Sequence, residues 1–122
     1  MSAGARLGIL GAVVVVAVVG IIIASGSKSR NNAPPSLNAT IDVKSAKPVS
    51  GIKQIKLKLG GTIHLTVHSD TADEVHIHAT DQHKDVAKGG TISVTIKPPV
   101  AGTSEIELEH HNQQLAAVTV VP

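Results

Sequence analysis

Between Asp73 and His83 the chain reads DEVHIHATDQH, with three histidines inside eight residues. Imidazole and carboxylate together, without thiolate, are the donors of Cu(II), Zn(II) or Ni(II), and Cu(II) stands highest in the affinity order. On an extended strand, residues i and i+2 lie about 6.5–7 Å apart on one face. His76 and His78 are therefore side by side, near enough for one ion to take a nitrogen from each. Two imidazoles make a weak site, so a third donor is needed, and Glu74 on the same face, His83 in the following loop, or His111 can supply it. The candidate metal ligands are His76, His78 and His111. The competing reading is a solvent-facing strand that carries histidine as its polar residue.

Other chemistries fare worse. The 122-residue chain has no cysteine, which removes disulfides, thiolate metal sites and thiol catalysis. It has no Phe, Tyr or Trp, and so lacks the stacking platforms of single-stranded nucleic-acid binders. The formal charge is +2, with lysines spread along the chain, so no nucleic-acid partner is expected. Ser69, Ser93 and Ser104 have no nucleophile-elbow context, and the carboxylates alternate along strands rather than converge on a pocket. No enzyme is expected. Seven histidines would charge together as the pH falls through about 6.5, which leaves a pH-responsive surface as a minor alternative.

The elements that position the histidines read as short alternating strands. ATIDVKSA (39–46) opens the series, followed by KQIKLKL with Ile55, Leu57 and Leu59 on one face. TIHLTVH places Ile63, Leu65 and Val67 inward. EVHIHAT places Val75 and Ile77 inward, with Glu74, His76 and His78 opposite. DQHKDVAKGG reads as a polar loop. TISVTIK, TSEIELE and LAAVTVV complete seven strands in 84 residues. Turns at this spacing and no helical periodicity predict an all-β domain, an antiparallel β-sandwich. Lys56 and Lys58 are read either as solvent charge on an edge strand or as cross-strand partners of Glu105, Glu107 and Glu109. Should TIHLTVH and EVHIHAT pair as a hairpin, His64 would face His78 and His68 would face Glu74.

Ahead of the domain stands LGILGAVVVVAVVGIIIA, eighteen uncharged residues at 7–24. As a helix they span about 27 Å, close to the ~30 Å of bilayer hydrocarbon. The expected organisation is a short tail at 1–6, a transmembrane helix or signal anchor at 7–24, a flexible polar linker at 25–38 and the β domain at 39–122. A cleaved signal peptide ending near Ala24-Ser25-Gly26 is the rival, and would give a secreted domain. Arg6 on one side and Lys28 and Arg30 on the other barely discriminate orientation. The six-residue tail favours a single-pass cell-membrane protein with its domain outside the cytoplasm.

Two stretches, LGGTIHLTVHSDTADEVHIHATD and GTSEIELEHHNQQLAAVTVVP, together resemble the cupredoxin-like domains. SDTADEVHIHATD is similar to the S-D-x-A-D-E-V-H-x-H-G-Y-D run of small bacterial members, often secreted or membrane-anchored. The resemblance covers Thr40 to Pro122 and implies a Greek-key sandwich. It also implies a first copper-ligand His near Glu74, a Cys near Leu108, a second His near His111 and a Met near Leu115. Here there is no cysteine and the only methionine is Met1, so type 1 copper is excluded. Ala79-Thr80 also stands where those members have Gly-Tyr. The resulting expectation is an anchored extracytoplasmic binding module that takes Cu(II) or Zn(II) through surface histidines without electron transfer. The alternative is a structural or protein-interaction domain of the cell envelope that has lost metal binding.

Overall fold

A computed structural model describes residues 34–122. The expected tail, transmembrane helix and most of the linker lie outside the described residues. Nine strands follow in order: β1 (Ser36–Lys44), β2 (Lys47–Pro48), β3 (Lys53–Lys58), β4 (Thr62–Ser69), β5 (Asp73–Ile77), β6 (Gln82–Val86), β7 (Gly90–Ile96), β8 (Gly102–Leu108) and β9 (Gln113–Val121). They form two sheets, a four-stranded one ordered β2-β1-β4-β7 and a five-stranded one ordered β3-β9-β8-β5-β6.

The all-β expectation holds, and no helix occurs among the described residues. A wholly antiparallel arrangement does not hold, because β1 pairs with β4, and β3 with β9, in parallel. The cause is the connectivity. The chain leaves β1 through the short β2 beside it, crosses to β3 in the other sheet and returns to β4 on the opposite side of β1, where β1 and β4 run the same way. Hairpin neighbours such as β5 and β6 stay antiparallel.

Alternation builds the core. β1 is exposed and buried in strict turn, with Leu37, Ala39, Ile41 and Val43 inward. Leu37 extends the domain upstream of the expected boundary at 39. β4 buries Ile63, Leu65 and Val67 as its sequence requires, and β5 buries Val75 and Ile77. The centre is filled by Ile63, Leu65, Ile77, Ile96, Ile106, Leu108 and Leu115, all essentially inaccessible. β9 breaks the alternation at Leu115-Ala116, both buried. The β8–β9 register jumps there, from Ile106 opposite Ala116 to Glu107 opposite Gln114. The extra residue of this bulge sends two consecutive side chains inward.

Several expectations are corrected at strand ends. Leu59 lies past the end of β3 in the turn to β4 and is 43% exposed, so it is not core. Ser45 and Ala46 leave β1 with positive φ, and their N–H groups donate to the Asp70 carboxylate and the Thr71 hydroxyl. The stretch read as a polar loop contains β6. This edge strand buries only Val86, so no period-two pattern announces it. β4 and β5 belong to different sheets, and the His64–His78 hairpin does not form. β9 stands between β3 and β8, which separates the lysine row from the glutamate row and leaves Lys56 and Lys58 on an edge strand. Truncating the bulge residue, Leu115→Ala, is expected to lower unfolding free energy by about 2–5 kcal/mol. Leu59→Ala should change it by less than about 0.5 kcal/mol. Denaturant titrations of the two variants check the contrast.

Candidate metal centre

β5 lies between β6 and β8, and its register decides which side chains share the outer face of the five-stranded sheet. His76 stands opposite His83 on one side and Glu107 on the other. Glu74 pairs with Asp85, and Glu109 N–H donates to the Glu74 carbonyl just past the end of β8. β5 ends at Ile77, and His78 begins the turn to β6. Its N–H donates to the Glu105 carbonyl at 3.0 Å, which keeps the residue on the sheet. Asp81 closes that turn with φ 53°, a conformation that aspartate tolerates better than most residues.

The three imidazoles form one stack. His76 is central, its ring centroid 4.1 Å from that of His78 and 4.0 Å from that of His83. Carboxylates reach both edges of the central ring. Nε2 of His76 lies 3.0 Å from Asp81 Oδ1, and Nδ1 lies 2.9 Å from Glu109 Oε1 and 3.7 Å from Glu107 Oε2. His78 Nε2 is 2.6 Å from Glu107 Oε2, and the two nitrogens of His83 are each 3.3 Å from a carboxylate, Glu74 or Asp81.

Burial is graded. His76 and Glu107 are only 15% and 16% exposed at the side chain, whereas Asp81 is 84% exposed. Nδ1 of His76 is buried and makes no hydrogen bond, although Glu109 is near. The two observations agree once direction is considered, because the carboxylate oxygen is close in distance but off the line a ring N–H requires. Electrostatics follow the contacts. The Glu74 carboxylate, and then Asp81, raise the His83 imidazole above its ordinary value. Hydrogen bonds from His76 and then His83 hold the Asp81 carboxyl below its own.

Two groups have donor atoms that converge within 4.8 Å, namely His76 with His83 and Glu109, and His76 with His78 and Glu107. His76 and His78 are thus brought together. His111 is placed elsewhere, with its Nδ1 on Asp73 Oδ2, and it belongs to neither group. Sequence reading gave His83 a loop position and treated Glu107 and Glu109 only as strand charge. The i, i+2 spacing of Glu105, Glu107 and Glu109 was the available signal, but it gains meaning only once β8 is known to lie beside β5.

Where the family resemblance implied a copper centre, Leu108 and Leu115 are buried apolar residues. His111 meets Asp73, which precedes Glu74, and the Asp73 side chain is fully inaccessible. Burial opposes ionisation of Asp73. Hydrogen bonds from the His111 ring and from the N–H groups of His110 and Glu74 outweigh it and hold the carboxyl below its usual value. A carboxylate–imidazole pair thus occupies the end of the sandwich, away from any sulfur donor.

No family model matches the chain, and no curated protein matches it. Solved structures do. The metal-binding domain of the Streptococcus pneumoniae D39 Cu(I)-exporting P-type ATPase CopA, solved with Cu(I), is similar at TM-score 0.59 and 16% identity, over 77% of this chain and 92% of that one. A copper-binding protein in its apo form gives 0.56 at 16% identity, over 75% and 92%. A chain of a heme-copper terminal oxidase dimer gives 0.57 at 17% identity, over 98% and 97%. These likenesses carry the fold alone: the described residues have a cupredoxin-like fold, and the chain has no cysteine from which a type 1 centre could be built.

The buried Asp73 yields a stability prediction. A carboxyl held below its unfolded value contributes stability that is present at neutral pH and lost as the pH falls below about 3.8. Asp73→Asn should therefore cost about 1–3 kcal/mol at pH 7. The difference from the parent chain should shrink as denaturation is measured in progressively stronger acid.

Proposed function

We propose that this protein is a membrane-anchored, extracytoplasmic binding module that takes a divalent ion, Cu(II) or Zn(II), on the outer face of β5, β6 and β8, without electron transfer and without catalysis. The observation that carries the reading is the surroundings of His76. Carboxylate oxygens stand at 3.0 Å and 2.9 Å from its two nitrogens, and Nδ1 is buried without a hydrogen-bond partner. A cation held between Nδ1 and the carboxylates beside it would complete the contact. The donors are nitrogen and oxygen only, which suits Cu(II) or Zn(II) and is a poor match to the soft sites preferred by Cu(I). His76 and His78, with Glu107, make the first candidate ligand set, and His83 with Glu109 extends it. The apolar run at 7–24 supports the anchor.

A second reading has its own support. The chain of the terminal oxidase dimer is matched over nearly its whole length and nearly the whole of this one. That likeness favours a small envelope protein that docks onto a larger membrane complex, with the sandwich as an interaction domain.

Calorimetric titration of the chain with Cu(II) and with Zn(II) separates the two readings. Sub-micromolar, stoichiometric binding that disappears in the His76→Ala/His78→Ala double variant is expected. Weak binding at several sites, indifferent to those substitutions, would move the interaction reading ahead. For topology, protease added to intact cells should digest the domain, and protection would overturn the outside assignment.

A further inference from the structure

We infer that the end of the sandwich at which β1 begins docks onto a lipid surface, with Leu59 and Val100 entering the headgroup layer and Lys58 and Lys97 meeting anionic headgroups. This inference rests on the anchoring proposed above and adds to it a contact made by the β domain itself.

Strand register brings these residues to one end. β1 and β4 start there, running parallel from Ser36 beside Thr62, and the Thr62 N–H donates to the Pro35 carbonyl. β3 and β9 finish there, with Lys58 beside Val121, and the Leu59 N–H donates to the Val121 carbonyl. β7 finishes there too, with Ile96 opposite Ile63, and β8 begins there, with Gly102 opposite Val120. Two connections therefore close this end side by side, 59–61 from β3 to β4 and 97–101 from β7 to β8. Each carries an exposed large apolar side chain, Leu59 at 43% and Val100 at 68%. One exposed Leu or Val is ordinary. Here two share an end, and the exposed Lys58 and Lys97 stand one and three residues before them. The other exposed large apolar residues among those described, Val49 and Ile52, precede β3 and lie a strand's length from Leu59.

Charge selects the occupant. Every Asp and Glu of the chain lies at 42, between 70 and 85 or between 105 and 109. None falls in either connection, at the start of β1 or at the end of β9. Among the described residues neither Lys58 nor Lys97 takes part in a salt bridge. Apolar tips beside unpaired lysines, without carboxylates, match an anionic lipid interface: the tips leave water while the ammonium groups stay among the headgroups. The chain itself brings lipid to this end. Only nine residues, 25–33, separate the apolar run at 7–24 from Pro34, which leads into β1. Fully extended, they reach about 35 Å at most. A tether of that length holds the end at high effective concentration beside the bilayer, so two tips and two charges suffice. Neither connection belongs to the imidazole stack, which makes docking and ion binding separable.

The lack of aromatic residues supplies the test. Leu59→Trp, Val100→Trp and Ala87→Trp each give the full chain a single fluorophore, the last in the exposed β6–β7 turn at the opposite end. Each variant is reconstituted into vesicles of phosphatidylcholine and phosphatidylglycerol, with and without brominated acyl chains, and flotation reports whether lipid holds the chain. Brominated lipid is expected to quench Leu59→Trp and Val100→Trp several-fold more than Ala87→Trp. Adding Lys58→Glu and Lys97→Glu to Val100→Trp should remove most of that difference, and its persistence would overturn the headgroup pairing. Chains that float but show equally weak quenching at all three positions would overturn docking and leave the anchor intact. Equally strong quenching at all three would overturn it too, because this end would then have no preference for lipid. A chain that does not float would overturn both this inference and the anchored reading.

Discussion

A β-strand sends each side chain to one of two faces, and the demand for an apolar interior leaves no choice about what goes outward. Val75 and Ile77 on β5, and Ile106 and Leu108 on β8, are buried because they supply the core between the sheets. Glu74, His76, Glu107 and Glu109 must then share the opposite face. Inter-strand pairing sets their distances, placing His76 between His83 and Glu107. Sliding β5 by one residue would bury the histidines and expose Val75 and Ile77, at the cost of the core. The register that packs the interior is the one that assembles the imidazole stack.

The end of the sandwich supports this face. Asp73 accepts hydrogen bonds from the N–H groups of His110 and Glu74 and from the His111 ring. It thereby fastens the β8–β9 turn to the start of β5. Glu109 is the residue immediately before that turn, and its N–H is tied to the Glu74 carbonyl. The carboxylate nearest His76 Nδ1 is thus anchored on both sides of its own backbone. His111, expected from sequence as a direct ligand, is placed so that it holds the loop that presents Glu109. The bulge at Leu115 sits just beyond, where the extra residue lets the turn return to the ladder with both Leu115 and Ala116 inside.

Much of the fold was legible because period-two alternation is a strong signal wherever one face is buried and the other wet. β4 and β5 show it plainly, and their inward residues were identified correctly, whereas β1 was found only as a strand. β6 was invisible for the converse reason, since an edge strand of sequence QHKDV with a single buried side chain has no alternation to read. The parallel pairs were equally hidden, because sequence patterns report which face a residue takes and not which strand lies alongside. The candidate site shared that limit. His76 and His78 were found from spacing within one strand. His83, Glu107 and Glu109 join them only through sheet order, a long-range property that local residue types do not encode.

The donor set of this face differs in kind from that of a copper centre that passes electrons. A copper centre that passes electrons needs ligands acceptable to both oxidation states, and thiolate with thioether provides that softness. In this chain the positions that the resemblance gave to those donors are Leu108 and Leu115, both buried in the apolar core. A sulfur site there is not merely unfilled; its volume is used for packing. The imidazoles and carboxylates lie instead on the outer face of the sheet, where Asp81 is almost fully exposed and water reaches the stack. A divalent ion of the kind proposed above would be held there by nitrogen and oxygen donors alone.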